Sequence, residues 1–152
     1  MRTVSWWRGT GGSPLPSAIG QRFETRTGIP LLEQYGMTES VAAITATPFH
    51  GERIRGSVGI RSPFSSVAIM REESRSGWQP CAPGETGVVV VKGPQVVNGY
   101  LDPRHNAEMF TADGGLVTGD LGHLDANGYL FLTGRAKDLI IRSGHNIDPL
   151  VI

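Results

Sequence analysis

Residues 35–39, Tyr-Gly-Met-Thr-Glu, set several kinds of chemistry side by side. Tyr35 offers a flat π face, Gly36 allows close backbone approach, Thr38 carries a hydroxyl, and Glu39 carries a hard carboxylate of the kind that holds an oxygen-seeking cation. Together they suit a magnesium nucleotide. The same residues also read as a turn followed by a helix start, because a threonine cap and an early carboxylate both favour a helix N-terminus. Two further positions bear on the choice: "TGD" at 118–120 sets Asp120 behind a glycine turn, and "GRAKD" at 134–138 sets Arg135 behind another. An Asp in a turn ordinarily caps its own backbone, and an Arg beside Gly is ordinarily solvated. An ionised Asp nevertheless accepts more than one hydrogen bond and can grip a vicinal diol such as ribose, with Arg adding donors from the opposite side.

Other motifs exclude other chemistries. "GTGGSP" at 9–14 lacks the Gly-Lys-Ser/Thr ending of a phosphate loop and fails the dinucleotide glycine spacing. What remains is a flexible turn, or backbone that lies against a flat ligand. "RGSVG" offers Ser57 without a Gly-x-Ser-x-Gly elbow, so a serine hydrolase is rejected. His50, His105, His123 and His145 lack metal-ligand spacing and no cysteine cluster accompanies them, which disfavours zinc. Val41, Ala42 and Ala43 read either as the lining of an acyl pocket or as plain core.

The elements that must position these residues follow from the rest of the chain. At 152 residues with 39% hydrophobic composition, one ordinary core is within reach. Fourteen basic residues balance fourteen acidic ones, so no broad field attracts nucleic acid. No apolar run approaches the roughly 18 residues that span a bilayer, and "MRTVSWWRGTGG" lacks a signal peptide's apolar region. With a lone Cys81, these features predict a cytoplasmic chain without a transmembrane segment. Leu15, Ile19 and Phe23 recur every four residues between Pro14 and Thr27, with Gly28 as a stop, predicting a surface helix. "IPLLEQ" then predicts a short buried strand, so the first 40 residues form a strand or loop, a helix and a strand, with the Tyr-Gly-Met-Thr-Glu run at the strand's exit. Beyond about residue 48, "SVAIM", "GVVVV" and "YLFL" alternate with Gly- and Pro-rich turns, predicting a β-rich lobe. "PRHNAEMF" alone looks helical there, Asn127-Gly128 marks a hairpin, and "KDLIIRSGHNI" reads as a further strand and turn.

The order of YGMTES, GETGVVVVKGPQVVNGYLD, TGD and GRAKDLIIRSGHNI resembles the AMP-forming acyl-CoA synthetases of the adenylate-forming superfamily, and the resemblance runs from "GGSPLP" to the last residue. "RSGHNIDP" resembles the fatty- or medium-chain acyl-CoA ligase branch. The resemblance implies an α/β plus β-rich fold, a partial adenylate-forming large domain. Residues 1–47 would end an α/β subdomain, 48–134 would form a small distorted β-barrel subdomain, and 135–152 would carry the hinge and first strand of a C-terminal domain. Gly12, Ser13 and Pro14 would border adenine, and Tyr35 would stack on it with Gly36 and Met37 facing AMP. Thr38 would bond the α-phosphate and Glu39 would ligate Mg²⁺, the two serving catalysis. Asp120 would hold the ribose hydroxyls with help from Arg135, Lys137 would sit at the hinge, and Gly144 would line the pantetheine path. The implied reaction joins a small-molecule carboxylate to ATP as acyl-AMP and then to coenzyme A, as in fatty acid metabolism.

Departures from the family pattern qualify that expectation. No Ser/Thr/Gly-rich phosphate loop ending in Pro-Lys precedes "GTGGSP", and the C-terminal catalytic lysine is not reached. Glu33-Gln34 stand where Gln-Gly is usual, and the basic residue of the "IIRSG" region is displaced to Arg142. The sequence therefore predicts a central fragment, inactive alone, whose partners are the missing N- and C-terminal parts; losing one charge-stabilising donor already costs about 10²–10³ in rate. The alternatives are a non-catalytic AMP/ATP-binding module and an unstable pseudogene product with uncovered apolar sheet edges.

Overall fold

A parallel strand pair joined by a helix opens the described chain, which in the computed structural model comprises residues 8–73, 77–106, 109–136, 140–142 and 145–147. Strand β1 (Arg8–Thr10) and strand β2 (Leu31–Met37) pair in parallel, Arg8 opposite Leu31 and Thr10 opposite Glu33. Parallel pairing requires a crossover, and helix α1 (Ser17–Thr27) supplies it. Gly28 ends the helix in the left-handed conformation, its N–H donating to the Glu24 carbonyl over 2.8 Å. The helix lies at the surface: Ile19 is 59% exposed, and Gly20 is the residue that is buried. Leu15 precedes the helix, so its spacing to Ile19 and Phe23 crosses the cap and does not trace one helical stripe.

β2 runs three residues further than "IPLLEQ" predicts, taking in Tyr35, Gly36 and Met37. The chain then makes one 3₁₀ turn, Thr38–Ser40, where a helix start was one of the two local readings. Strand β3 (Ala42–Ala46) returns antiparallel to β2, with a register shift between Tyr35 and Gly36, and strand β4 (Ile60–Arg61) pairs with β3. The first sheet, in the order β1-β2-β3-β4, thus draws in residues beyond position 48.

A second, antiparallel sheet contains β5 (Ser66–Glu73), β6 (Gly77–Pro80), β7 (Gly87–Lys92), β8 (Leu116–Leu124) and β9 (Leu130–Arg135), in the order β6-β5-β7-β8-β9. The valine run of β7 is buried at Val89, Val90 and Val91, as suits a central strand covered on both faces. Asn127-Gly128 does join two paired strands, β8 and β9; Asp125 Oδ1 accepts the N–H of Asn127 over 2.9 Å and that of Tyr129 over 2.8 Å. The "KDLIIRSGHNI" segment contains a two-stranded antiparallel pair, β10 (Ile140–Arg142) and β11 (His145–Ile147). The helix expected in "PRHNAEMF" is reduced, among the described residues, to one 3₁₀ turn at Pro103–His105. Asp102 caps that turn by accepting the Arg104 N–H over 3.0 Å, and Phe110 already bridges to Leu116 as extended chain. The whole is an α/β unit joined to a β-rich lobe, the fold class expected from the sequence.

One core joins the two sheets: Tyr35 and Ile44 from the first pack with Ile69, Val89, Val91, Leu116 and Leu130 from the second. The Ser57–Gly59 segment, which connects β3 to β4 within the first sheet, ties it to the second by hydrogen bonds. Val58 N–H donates to the Leu130 carbonyl and Leu130 N–H to the Gly59 carbonyl, each over 2.9 Å, while Thr45 Oγ1 donates to the Val58 carbonyl over 2.7 Å. Ser57 is buried and donates to the Leu130 carbonyl over 2.8 Å, a structural clamp. Among the described residues no helix is long and apolar enough to cross a membrane.

Candidate functional site

Asp120 lies in the middle of β8, where the local reading of "TGD" placed a turn. Gly119 adopts φ 75°, and the β7–β8 register jumps there: Val88 faces Leu121 and Val90 faces Val117. Such a bulge is open to glycine at no steric penalty and re-aims the side chain that follows it. The Asp120 carboxylate is turned inward, only 8% of the residue remaining exposed. Its Oδ2 accepts the Tyr35 hydroxyl over 2.7 Å and its Oδ1 accepts Arg135 Nε–H over 2.9 Å. Thr118 Oγ1 accepts the Asp120 N–H over 3.1 Å and donates to the Val89 carbonyl over 2.9 Å, which fixes the bulge. Arg135 ends β9 directly opposite Asp120, so the expected glycine turn there is also strand. One carboxylate thereby links β2, β8 and β9.

Tyr35 belongs to the core and is 8% exposed, leaving little of its ring open for stacking. Burial pushes its hydroxyl well above the ordinary tyrosine pKa, with the neighbouring Asp120 carboxylate acting in the same direction. The hydroxyl therefore stays a donor. Tyr35→Phe removes the donor from an acceptor that stays buried, and a destabilisation of about 1–3 kcal/mol is expected in urea denaturation. A change within 0.5 kcal/mol would show that solvent replaces the bond.

Around this triad opens a cleft of about 1420 Å³. Gly11 and Gly12 of the β1–α1 loop, residues 35–39 and Thr118, Gly119 and Arg135 line it. Asp120 lies just behind that lining, reached through Tyr35 and Arg135. Tyr100 and Arg104 border the same cleft, and the Tyr100 hydroxyl donates to Glu39 Oε1. The main chain at Glu39 is held as well, Val97 N–H donating to its carbonyl over 2.9 Å.

Of the residues singled out in the sequence, the fold brings Gly12, Tyr35, Gly36, Met37, Thr38, Glu39 and Arg135 to one cleft. Ser13 and Pro14 are exposed and do not line it. Lys137 and Gly144 lie outside the described residues. Ala43 lines the cleft, whereas Val41 is 70% exposed. Thr118 and Tyr100 were missed, although both sit inside quoted motifs, "TGD" and "NGYLD"; nothing local distinguishes either from a turn residue. Among the described residues no group of three or more His, Cys, Asp or Glu side chains lies together. Magnesium does not require one, since it is commonly bound through one or two carboxylates plus substrate phosphates and water. Glu39, reaching an open cleft, fits that mode.

A glycine loop after a parallel strand, a β2 terminus bearing Thr and Glu, and a carboxylate bulge in a second sheet define part of the large domain of an adenylate-forming enzyme. Residues 2–101 match the family model "AMP-binding enzyme", and the chain belongs to that family, among the adenylate-forming acyl-CoA synthetases. It is 44% identical to marinolic acid–CoA ligase of Pseudoalteromonas sp. over 145 residues, covering 95% of this chain and 22% of that protein. It is 38% identical to a long-chain-fatty-acid–CoA ligase of Bacillus subtilis over 140 residues, 92% of this chain and 24% of that protein. The chain thus spans about a quarter or less of the length of these curated relatives. Among solved structures it superposes on ATP-bound MatB from Rhodopseudomonas palustris with a TM-score of 0.86 at 36% identity, covering 94% of this chain and 28% of that one. For O-succinylbenzoate coenzyme A synthetase of Bacillus subtilis with ATP and magnesium the TM-score is 0.80 at 35% identity, over 95% of this chain and 30% of that one.

Proposed function

We propose that this chain holds the adenylate in an ATP-dependent, AMP-forming acyl-CoA ligase reaction. A fatty or medium-chain carboxylate would attack the α-phosphorus of ATP, forming acyl-AMP as pyrophosphate leaves. The thiol of coenzyme A would then attack the acyl carbonyl and release AMP. The observation that carries the reading is the Asp120 carboxylate, hung between Tyr35 and Arg135, two residues of the cleft lining, just behind that lining. A carboxylate has about four lone-pair sites, and two are used internally, leaving about two for a ribose diol. The Arg135 side chain is 65% exposed, so its remaining N–H groups are open to a ligand.

Placement in the cleft supports the other proposed roles. Gly12 offers backbone against which adenine lies, with Tyr35 as a wall and Gly36 and Met37 beside it. Thr38 is exposed at the cleft and donates its hydroxyl to the α-phosphate. Glu39 would hold Mg²⁺, which when bound neutralises phosphate charge. The chain's own contribution is positioning and preorganised donors, which supply most of the acceleration in transfers at phosphorus. A cytoplasmic setting, where ATP and coenzyme A are present, belongs to the same proposal.

Isothermal titration calorimetry with AMP tests it. Saturable one-to-one heat is expected, displaced by ATP; absence of saturable heat from a cooperatively folding sample would overturn the reading. Pyrophosphate release with ATP, Mg²⁺ and a panel of fatty acids reads the ligase step separately.

A further inference from the structure

We infer that Tyr100 is a positioning residue for Glu39: its hydroxyl donates to Oε1 and thereby leaves Oε2 aimed into the cleft for a divalent cation. The inference rests on the proposed nucleotide reading and adds a residue to it. The two side chains are 61 positions apart in the chain, so the contact is made by the fold alone.

The segment carrying Tyr100 is built to hold that contact. Asn106 grips both main-chain polar groups of Tyr100, its Oδ1 accepting the N–H over 2.7 Å and its Nδ2 donating to the carbonyl over 3.4 Å. The His105 ring meets Tyr100 edge-on, with centroids 6.4 Å apart. The same segment donates Val97 N–H to the Glu39 carbonyl, so the loop fixes Glu39 by its main chain and its carboxylate together.

The choice of partner matters chemically. Arg104 lines the same cleft, but its guanidinium is turned onto Asp102, with Nη2–H donating to Oδ2 over 2.6 Å. Glu39 is met instead by a neutral hydroxyl, which orders the carboxylate without cancelling its charge. Partners that orient ligating carboxylates in this way typically carry about 10–100-fold in metal affinity.

The test uses the full chain and two titrations by calorimetry: AMP without metal, and ATP across a range of Mg²⁺ concentrations. Tyr100→Phe is expected to leave AMP affinity within about two-fold while raising the Mg²⁺ concentration for half-maximal ATP binding by about ten-fold. In a Glu39→Gln background, Tyr100→Phe is expected to add nothing, which a merely structural role would not produce. Asn106→Ala keeps the hydroxyl and loosens the loop, so a smaller shift in the same direction is expected, and it serves if Tyr100→Phe fails to fold. An unchanged Mg²⁺ requirement with normal AMP binding, or an equal loss of AMP and Mg²⁺-dependent binding, would overturn the inference and leave the proposed function standing. Absence of AMP binding by the unaltered chain would overturn both.

Discussion

Asp120→Asn is expected to weaken AMP binding by more than 100-fold while leaving the chain folded. Asparagine keeps the size of the side chain but exchanges one acceptor oxygen for an NH₂ donor. Within the protein the exchange is survivable. Oδ1 can still accept Arg135 Nε–H, now 2.9 Å from the carboxylate, and the Tyr35 hydroxyl can rotate to accept from the new amide. A stability loss of about 1–2 kcal/mol covers the weaker bonds. For the ligand the exchange is severe, because a ribose diol loses charge-assisted acceptors worth about 1.5–3 kcal/mol each. Two such bonds exceed the roughly 2.8 kcal/mol that corresponds to 100-fold in affinity. Calorimetry and a urea melt on the same sample separate the terms. If the Asn variant binds AMP as the parent does, Asp120 is a structural carboxylate that ties three strands and nothing more.

Gly59→Ala is the substitution expected to do the most damage to the fold. Gly59 adopts φ 89°, and a Cβ there would lie 2.0 Å from the Ala46 carbonyl carbon and 2.3 Å from the Thr47 nitrogen. Both are main-chain atoms of the first sheet, so no side chain can swing away to relieve the clash. The Gly59 carbonyl also accepts the Leu130 N–H, so any shift tears the junction between the sheets. A loss beyond about 4 kcal/mol is expected, a large share of the 5–15 kcal/mol that ordinary domains possess. Gly56→Ala is the control: φ is 79° there and a Cβ would meet nothing within 4 Å. That variant carries only the left-handed backbone penalty, about 1–2 kcal/mol. Equal melting temperatures for the two variants would show that the close approach of Gly59 to β3 is relieved at small cost.

The chemistry of this chain was legible wherever neighbouring residues carried it. Tyr35 to Glu39 are consecutive, and so are the residues of each further motif. Elements set by short-range rules were legible too: the Gly28 helix stop, the valine strand, and the Asn127-Gly128 hairpin each depend on a few adjacent side chains and on backbone freedom. The failures share another cause. The sequence predicts α1 as a surface helix but not which of its residues is buried, because that is decided by which part of α1 meets β2. Asp120 and Arg135 were read beside glycine turns because a left-handed glycine looks the same locally in a turn and in a bulge. Only pairing with β7 on one side and β9 on the other makes the segment a strand. The hydrogen bond from Tyr35 to Asp120 spans 85 positions, and no local pattern encodes it. The sequence by itself determined which functional groups are present and in what order, since side-chain chemistry travels with the residue. Only the tertiary structure decided that a core tyrosine, a bulged aspartate and a strand-end arginine meet, because three distant strands must first bury their apolar faces against one another.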